Sequence, residues 1–178
     1  MTVTSPPLVP IEPASPEAVR KALRKAWGQF ATGVTVVGVR DGTGLHGMTA
    51  NSFTSVSLNP PLVLISIDRQ ARTHALLERE GRYAVSILGE EQRAWADRFA
   101  GRQGDLQHQF EDVPHHLTED GLPIIEGALA SFVCRVCAIH PAGDHSLFIA
   151  EVERFQASPG AAPLVFFRGH YRSIEGDD

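Results

Sequence analysis

A mainly β, barrel-like single domain with a few peripheral helices is the fold class this sequence predicts. Three observations lead there. At least six short runs are β-branched or apolar, strands do not alternate with helices in a βαβ rhythm, and no internal repeat or domain-length linker divides the 178 residues. A chain of this length buries roughly 70% of its unfolded surface, so it needs no metal or disulfide to fold.

The elements follow in order. Residues 1–15 hold Pro6, Pro7, Pro10 and Pro13 among small residues, which excludes a helix and predicts a flexible arm, or else a strap on a partner subunit. The domain is assigned to 16–174, with 175–178 as a tail. Ser15-Pro16 is an N-cap followed by proline at the first helical position. Val19, Leu23, Ala26, Trp27 and Phe30 then recur at helical spacing. Arg20, Lys21, Arg24 and Lys25 read as the solvated face of that helix. Residues 33–50 read as a hairpin turning at Asp41-Gly42-Thr43-Gly44. The Asn59-Pro60-Pro61 corner leads into a buried strand at 62–67, and further strands are expected at 83–88, 132–138, 147–152 and 163–167. Helices are expected at 71–80 and 90–100. The interval 101–127 is polar and reads as a long loop.

Composition narrows the function. Sixteen Lys and Arg against 21 Asp and Glu give a net charge of -5, and a pI near 5.9 argues against a nucleic-acid partner. No apolar run approaches the roughly 20 residues a membrane span needs, and the N-terminus lacks a signal-peptide pattern. A cytoplasmic protein is expected. There is no phosphate-loop motif, no dinucleotide fingerprint and no nucleophile elbow. Cys134-x-x-Cys137, with His140 beyond, sits in an alternating strand, so the two thiols face opposite sides unless a bulge intervenes. The expectation is two structural cysteines and no metal site.

Two polar clusters remain. Thr49, Asn51, Ser52, Thr54, Ser55 and Ser57 crowd nine positions between hydrophobic strands. Small donors beside exposed backbone suit a flat polar-edged ring or a phosphate, although a Ser/Thr-rich turn would look the same. Ser66, Asp68, Arg69, Arg72 and Thr73 precede the second helix, which suits a phosphate at a helix start and equally a solvated cap.

Five motifs then occur in one order: Phe30-Ala31-Thr32-Gly33-Val34-Thr35-Val36-Val37, residues 47–64, Phe99-Ala100-Gly101, Gly143-Asp144-His145-Ser146-Leu147-Phe148-Ile149, and residues 163–171 ending in Arg168-Gly169-His170-Tyr171. In this the chain resembles the short-chain flavin reductases, the small NAD(P)H:flavin oxidoreductases that supply two-component monooxygenases. The resemblance implies a split β-barrel of the FMN-binding kind, a homodimer, FMN or FAD as flavin, NADH or NADPH as donor, and a monooxygenase partner that receives reduced flavin by diffusion. It further implies that Thr49, Ala50, Asn51 and Ser52 line the flavin ring and ribityl chain. Ser66 and Asp68 would meet the ring's polar edge, although members often carry Asn or another small residue where Asp68 stands. Thr73 would lie near the phosphate, His145 on the nicotinamide side and Tyr171 near the same cleft as His145, with Arg72 and Phe99 counted among the cofactor-binding residues. Two other functions on such a barrel are a non-catalytic flavin- or haem-binding module and a pyridoxamine-oxidase-like enzyme, the latter expected to carry more Arg and Lys.

Overall fold

The computed structural model describes residues 15–42, 44–101, 108–158 and 161–174. The arm at 1–15, apart from Ser15, and the tail at 175–178 lie outside the described residues. Helix α1 (Pro16–Trp27) starts as its sequence dictates: the Ser15 hydroxyl accepts from the Ala18 amide at 3.3 Å, and Pro16 occupies the first turn. Strands β1 (Thr32–Gly33), β2 (Thr35–Asp41) and β3 (Gly44–Ala50) follow, then β4 (Thr54–Leu58) and β5 (Pro61–Asp68). Helix α2 (Arg72–Glu80) stops at Gly81, whose φ of 66° is the left-handed cap that favours glycine. Next come β6 (Arg82–Ile87), a 3-10 turn (Glu90–Gln92), α3 (Arg93–Phe99), β7 (His115–Leu117) and β8 (Pro123–Ile125). The long β9 (Ala130–Ala142) and β10 (His145–Ala157) form a hairpin, and β11 (Val165–Phe167) and β12 (His170–Arg172) close the chain.

Seven strands make one antiparallel sheet in the order β3-β2-β6-β9-β10-β5-β4. Among the described residues its edge strands β3 and β4 do not pair with each other, so the sheet stays open there, in keeping with the split barrel that the resemblance implies. Because alternate side chains leave a strand on opposite faces, β2 feeds two cores. Val37 and Val39 join Ile65, Leu77, Tyr83 and Phe148 beneath α2. Val36 and the preceding Val34 join Leu88, Phe99, Phe110 and Ile125 beside α3. Gly47 lets α3 sit close, since a Cβ there would lie 2.4 Å from the Phe99 ring.

The structure corrects the reading of 101–127 and adds an edge strand at 54–58 and an unburied first helix, both of which the sequence left open. Residues 54–58 form an edge strand, β4, rather than part of a turn; their alternation is hidden because Thr54, Ser55 and Ser57 are small and polar. The 101–127 interval is not simply a polar loop. It builds the β7–β8 pair and buries Phe110, Val113, Leu122, Ile124 and Ile125. Finally, the apolar stripe of α1 is not packed into the core: no residue of the helix is buried, and Trp27 is 67% exposed.

The β9–β10 pairing passes from Ala138 opposite Ile149 to Val136 opposite Ala150, leaving Cys137 as a bulge residue. Cys134 is buried and Cys137 exposed, its thiol donating to the Ile149 carbonyl at 3.3 Å.

Candidate active site

The fold brings the sequence-selected residues into three adjoining groups. The first borders a cavity of about 160 Å³ lined by Val34, Thr49, Asn51, Ala100, Phe166 and Tyr171. Thr49 is held by its hydroxyl, which donates to the Ala96 carbonyl of α3 at 2.6 Å. Tyr171 packs edge-on against Phe166, with the Arg93 guanidinium 5.6 Å from its ring centre. Beside it, Ala50 ends β3, and its carbonyl accepts from the buried Thr35 hydroxyl at 2.8 Å.

The second group sits where the β9–β10 hairpin tip meets the end of β5. In register, Leu147 lies opposite Ser66 and His145 opposite Asp68. A cleft of about 370 Å³ is lined here by Ser66, Ala142, Asp144 and His145, and on its far wall by Arg20, Leu23, Arg24 and Trp27 of α1. His145 Nδ1 lies 2.7 Å from the Asp144 carboxylate. That hydrogen bond, with the imidazole charge behind it, holds the Asp144 carboxyl below the usual carboxylate range. The Asp68 carboxylate accepts from the Gln70 amide at 2.8 Å and so shapes the turn into α2. Ser52 connects the groups: its hydroxyl donates to the Ser66 carbonyl at 2.9 Å and accepts from the Ser66 amide at 3.2 Å.

The third group surrounds the start of α2, which begins at Ala71 with no side-chain cap. Arg72 pairs with Asp41, and Arg79 reaches the same carboxylate at 3.4 Å. Burial of Asp41 opposes ionisation, but its hydrogen bonds to Arg72 and Arg79 and their charges outweigh it and hold the carboxyl low. Thr73 is 1% exposed and hydrogen-bonded to His46 Nε2 at 2.9 Å. Burial lowers the His46 pKa, and the Arg72 cation lowers it further. His74 Nε2 meets the Ser146 hydroxyl at 2.8 Å, which ties α2 to β10.

Not every selected residue reaches a cavity. Phe99 is 2% exposed with its ring against Gly47 and Phe110, and it is its neighbour Ala100 that lines the smaller cavity. Arg20 and Arg24 were read as solvated. They are exposed, yet they also face His145 across the larger cleft. The available signal was their spacing, because Arg20, Leu23, Arg24 and Trp27 fall on one helical face.

With this geometry in place, the comparisons are specific. The flavin reductase like domain matches residues 27–175. A NADH-dependent flavin reductase of Rhodococcus is 44% identical over 163 residues, spanning 90% of this chain and 89% of its own. The reductase component of the 4-hydroxyphenylacetate 3-monooxygenase of Thermus thermophilus is 38% identical over 156 residues, 88% of this chain and 97% of its own. The NADH:FAD oxidoreductase SgcE6 of Streptomyces globisporus, solved with NAD and FAD fragments, superimposes with a TM-score of 0.84 at 40% identity, covering 93% of this chain and 98% of that one. The chain belongs to the flavin reductase family and is an oxidoreductase of that class. None of these three relatives is named as a non-catalytic carrier.

Proposed function

We propose that the protein is an NAD(P)H:flavin oxidoreductase that moves a hydride from a reduced nicotinamide dinucleotide to FMN or FAD and supplies the reduced flavin to a partner monooxygenase. The observation that carries this reading is the β5–β10 register, which sets His145 at the mouth of the cleft lined by Ser66 while Ser52 ties the 49–53 segment to the same strand.

The donor set fits a flavin. Residues 51–53 fall between the ladders of β3 and β4, so their peptide groups lie outside the strand pairing, with small hydroxyls beside them. The start of α2 has no side-chain cap and carries Arg72, which suits a phosphate. When bound, the flavin supplies the ring nitrogen that accepts the hydride. The protein's work is then placement. Thr49, Ala50, Asn51 and Ser52 border the ring, Ser66 and Asp68 its polar edge, and Tyr171 the adjoining wall. His145, hydrogen-bonded through Nδ1 to Asp144, presents Nε2 to the nicotinamide carboxamide or its ribose. Stacking two rings in fixed geometry removes orientational entropy from the barrier and asks for little acid–base chemistry.

A homodimer accompanies this reading. Phe30, Val56, Leu58 and Phe155 are between 49% and 94% exposed, which suits burial against a second copy. The reading places the enzyme in the cytoplasm, with no nucleic-acid or membrane partner; among the described residues no helix is long and apolar enough to cross a membrane.

The test is oxidation of NADH and NADPH with FMN and with FAD, without any aromatic substrate. Flavin-dependent turnover is expected. Background rates with all four pairs, from folded protein, would overturn the proposal.

A further inference from the structure

The cleft lined by His145 is also lined by two arginines of α1, Arg20 and Arg24. Arg20 and Arg24 are one helical turn apart on α1, about 5–6 Å between Cβ atoms, and both line the cleft with Asp144, Ser66 and Trp27. Among the described residues neither makes a salt bridge; Arg20 only donates to the Pro16 carbonyl at 3.4 Å and lies within electrostatic reach of exposed Asp144. By contrast, Arg72, Arg79, Arg82, Arg135 and Arg154 each rest on a carboxylate. The helix that carries the pair buries none of its residues, so the core is not what holds these side chains in place. The chain as a whole is acidic, with a net charge of -5, and would repel a polyanionic donor without a local positive wall.

We infer that Arg20 and Arg24 bind the diphosphate of the nicotinamide dinucleotide and hold its nicotinamide end against His145. This rests on the reductase reading and on His145 serving the nicotinamide side. Guanidiniums suit the task because their fixed fork of donors matches paired phosphate oxygens. The cleft volume of about 370 Å³ accepts part of such a molecule, with Leu23 and Trp27 supplying apolar wall for a ring. α1 is therefore an element of donor recognition.

The test compares two hydride donors on the full-length enzyme: NADH, and 1-benzyl-1,4-dihydronicotinamide, which carries no phosphate. In the double variant Arg20→Ala/Arg24→Ala the KM for NADH should rise about tenfold or more, since two charge-assisted contacts are lost. Turnover with the phosphate-free donor and flavin affinity should each move less than about twofold by the same logic. The variant Arg20→Lys/Arg24→Lys should recover part of the loss. Equal losses with both donors would make the pair structural and overturn the inference. A fall in flavin affinity with an unchanged NADH KM would assign the pair to the flavin phosphate instead, and no change at all would make it a solvated face. Either result overturns the inference. If the wild-type enzyme fails to oxidise NADH with any flavin, it is the reductase reading that has failed.

Discussion

The Ser52 hydroxyl makes two hydrogen bonds to one residue, donating to the Ser66 carbonyl at 2.9 Å and accepting from the Ser66 amide at 3.2 Å. One small side chain thereby fixes the irregular segment after β3, whose Asn51 lines the smaller cavity, to the end of β5, whose Ser66 lines the His145 cleft.

Ser52→Ala removes both bonds at a part-buried site, and each is worth about 0.5–1.5 kcal/mol. Stability should fall by the sum of the two, about 1–3 kcal/mol, measured by chemical denaturation. Flavin affinity, followed by fluorescence titration, should weaken severalfold because the 49–53 segment loses its anchor. Unchanged flavin binding in a destabilised variant would separate this segment from the flavin site.

His145→Ala should act on the other ligand. A single bond lost from a partly wet cleft costs about 0.5–1.5 kcal/mol, so the nicotinamide KM should rise or kcat fall severalfold to about tenfold. Flavin titration should change little. The reverse pattern would move His145 to the flavin side.

The two cysteines should differ in reactivity. Burial pushes the Cys134 thiol up to about 12, so almost none of it is thiolate at neutral pH, whereas Cys137 is exposed. An aromatic disulfide reagent should modify one thiol quickly and the second only on unfolding. A Cys134→Ser/Cys137→Ser variant that folds should keep its turnover, and stoichiometric zinc in the purified protein would contradict the structural role.

His46 should make stability depend on pH. Burial and the Arg72 cation lower its pKa from 6.5, so below that value the unfolded chain binds a proton that the folded one resists. Its contribution is present above about pH 6.5 and is lost as pH falls toward the lowered value. The thermal midpoint of the wild type should decline between about pH 7 and pH 5.5 more steeply than that of His46→Gln. Parallel declines would show that His46 is not the group responsible.

Much of the sheet was legible in the sequence because strand periodicity is local. The 33–50 hairpin and the strands at 62–67 and 83–88 carry enough Val and Ile to announce themselves. β4 was not legible, since Thr54, Ser55 and Ser57 mask its alternation, and neither was the core role of Phe110, which sits singly among polar residues. The same contrast runs through the site. Thr49 and Asn51 stand in an ordered motif and Ser66 in the polar cluster that follows it, and the structure sets each of them on a cavity wall. Arg20 and Arg24 share a cleft with His145, more than a hundred residues away; their helical spacing marks a common face but not what that face meets. Phe99 shows the converse, because its motif position is next to the cavity while its ring serves the core.

The central claim is hydride transfer from nicotinamide to flavin on this protein. The most direct measurement mixes enzyme, one equivalent of flavin and one equivalent of NADH in the absence of oxygen, and follows the flavin absorbance in time. The account predicts loss of the oxidised-flavin band in step with NADH consumption, one for one, at a rate that scales with enzyme. A flavin band that persists while folded enzyme and NADH are both present would contradict it.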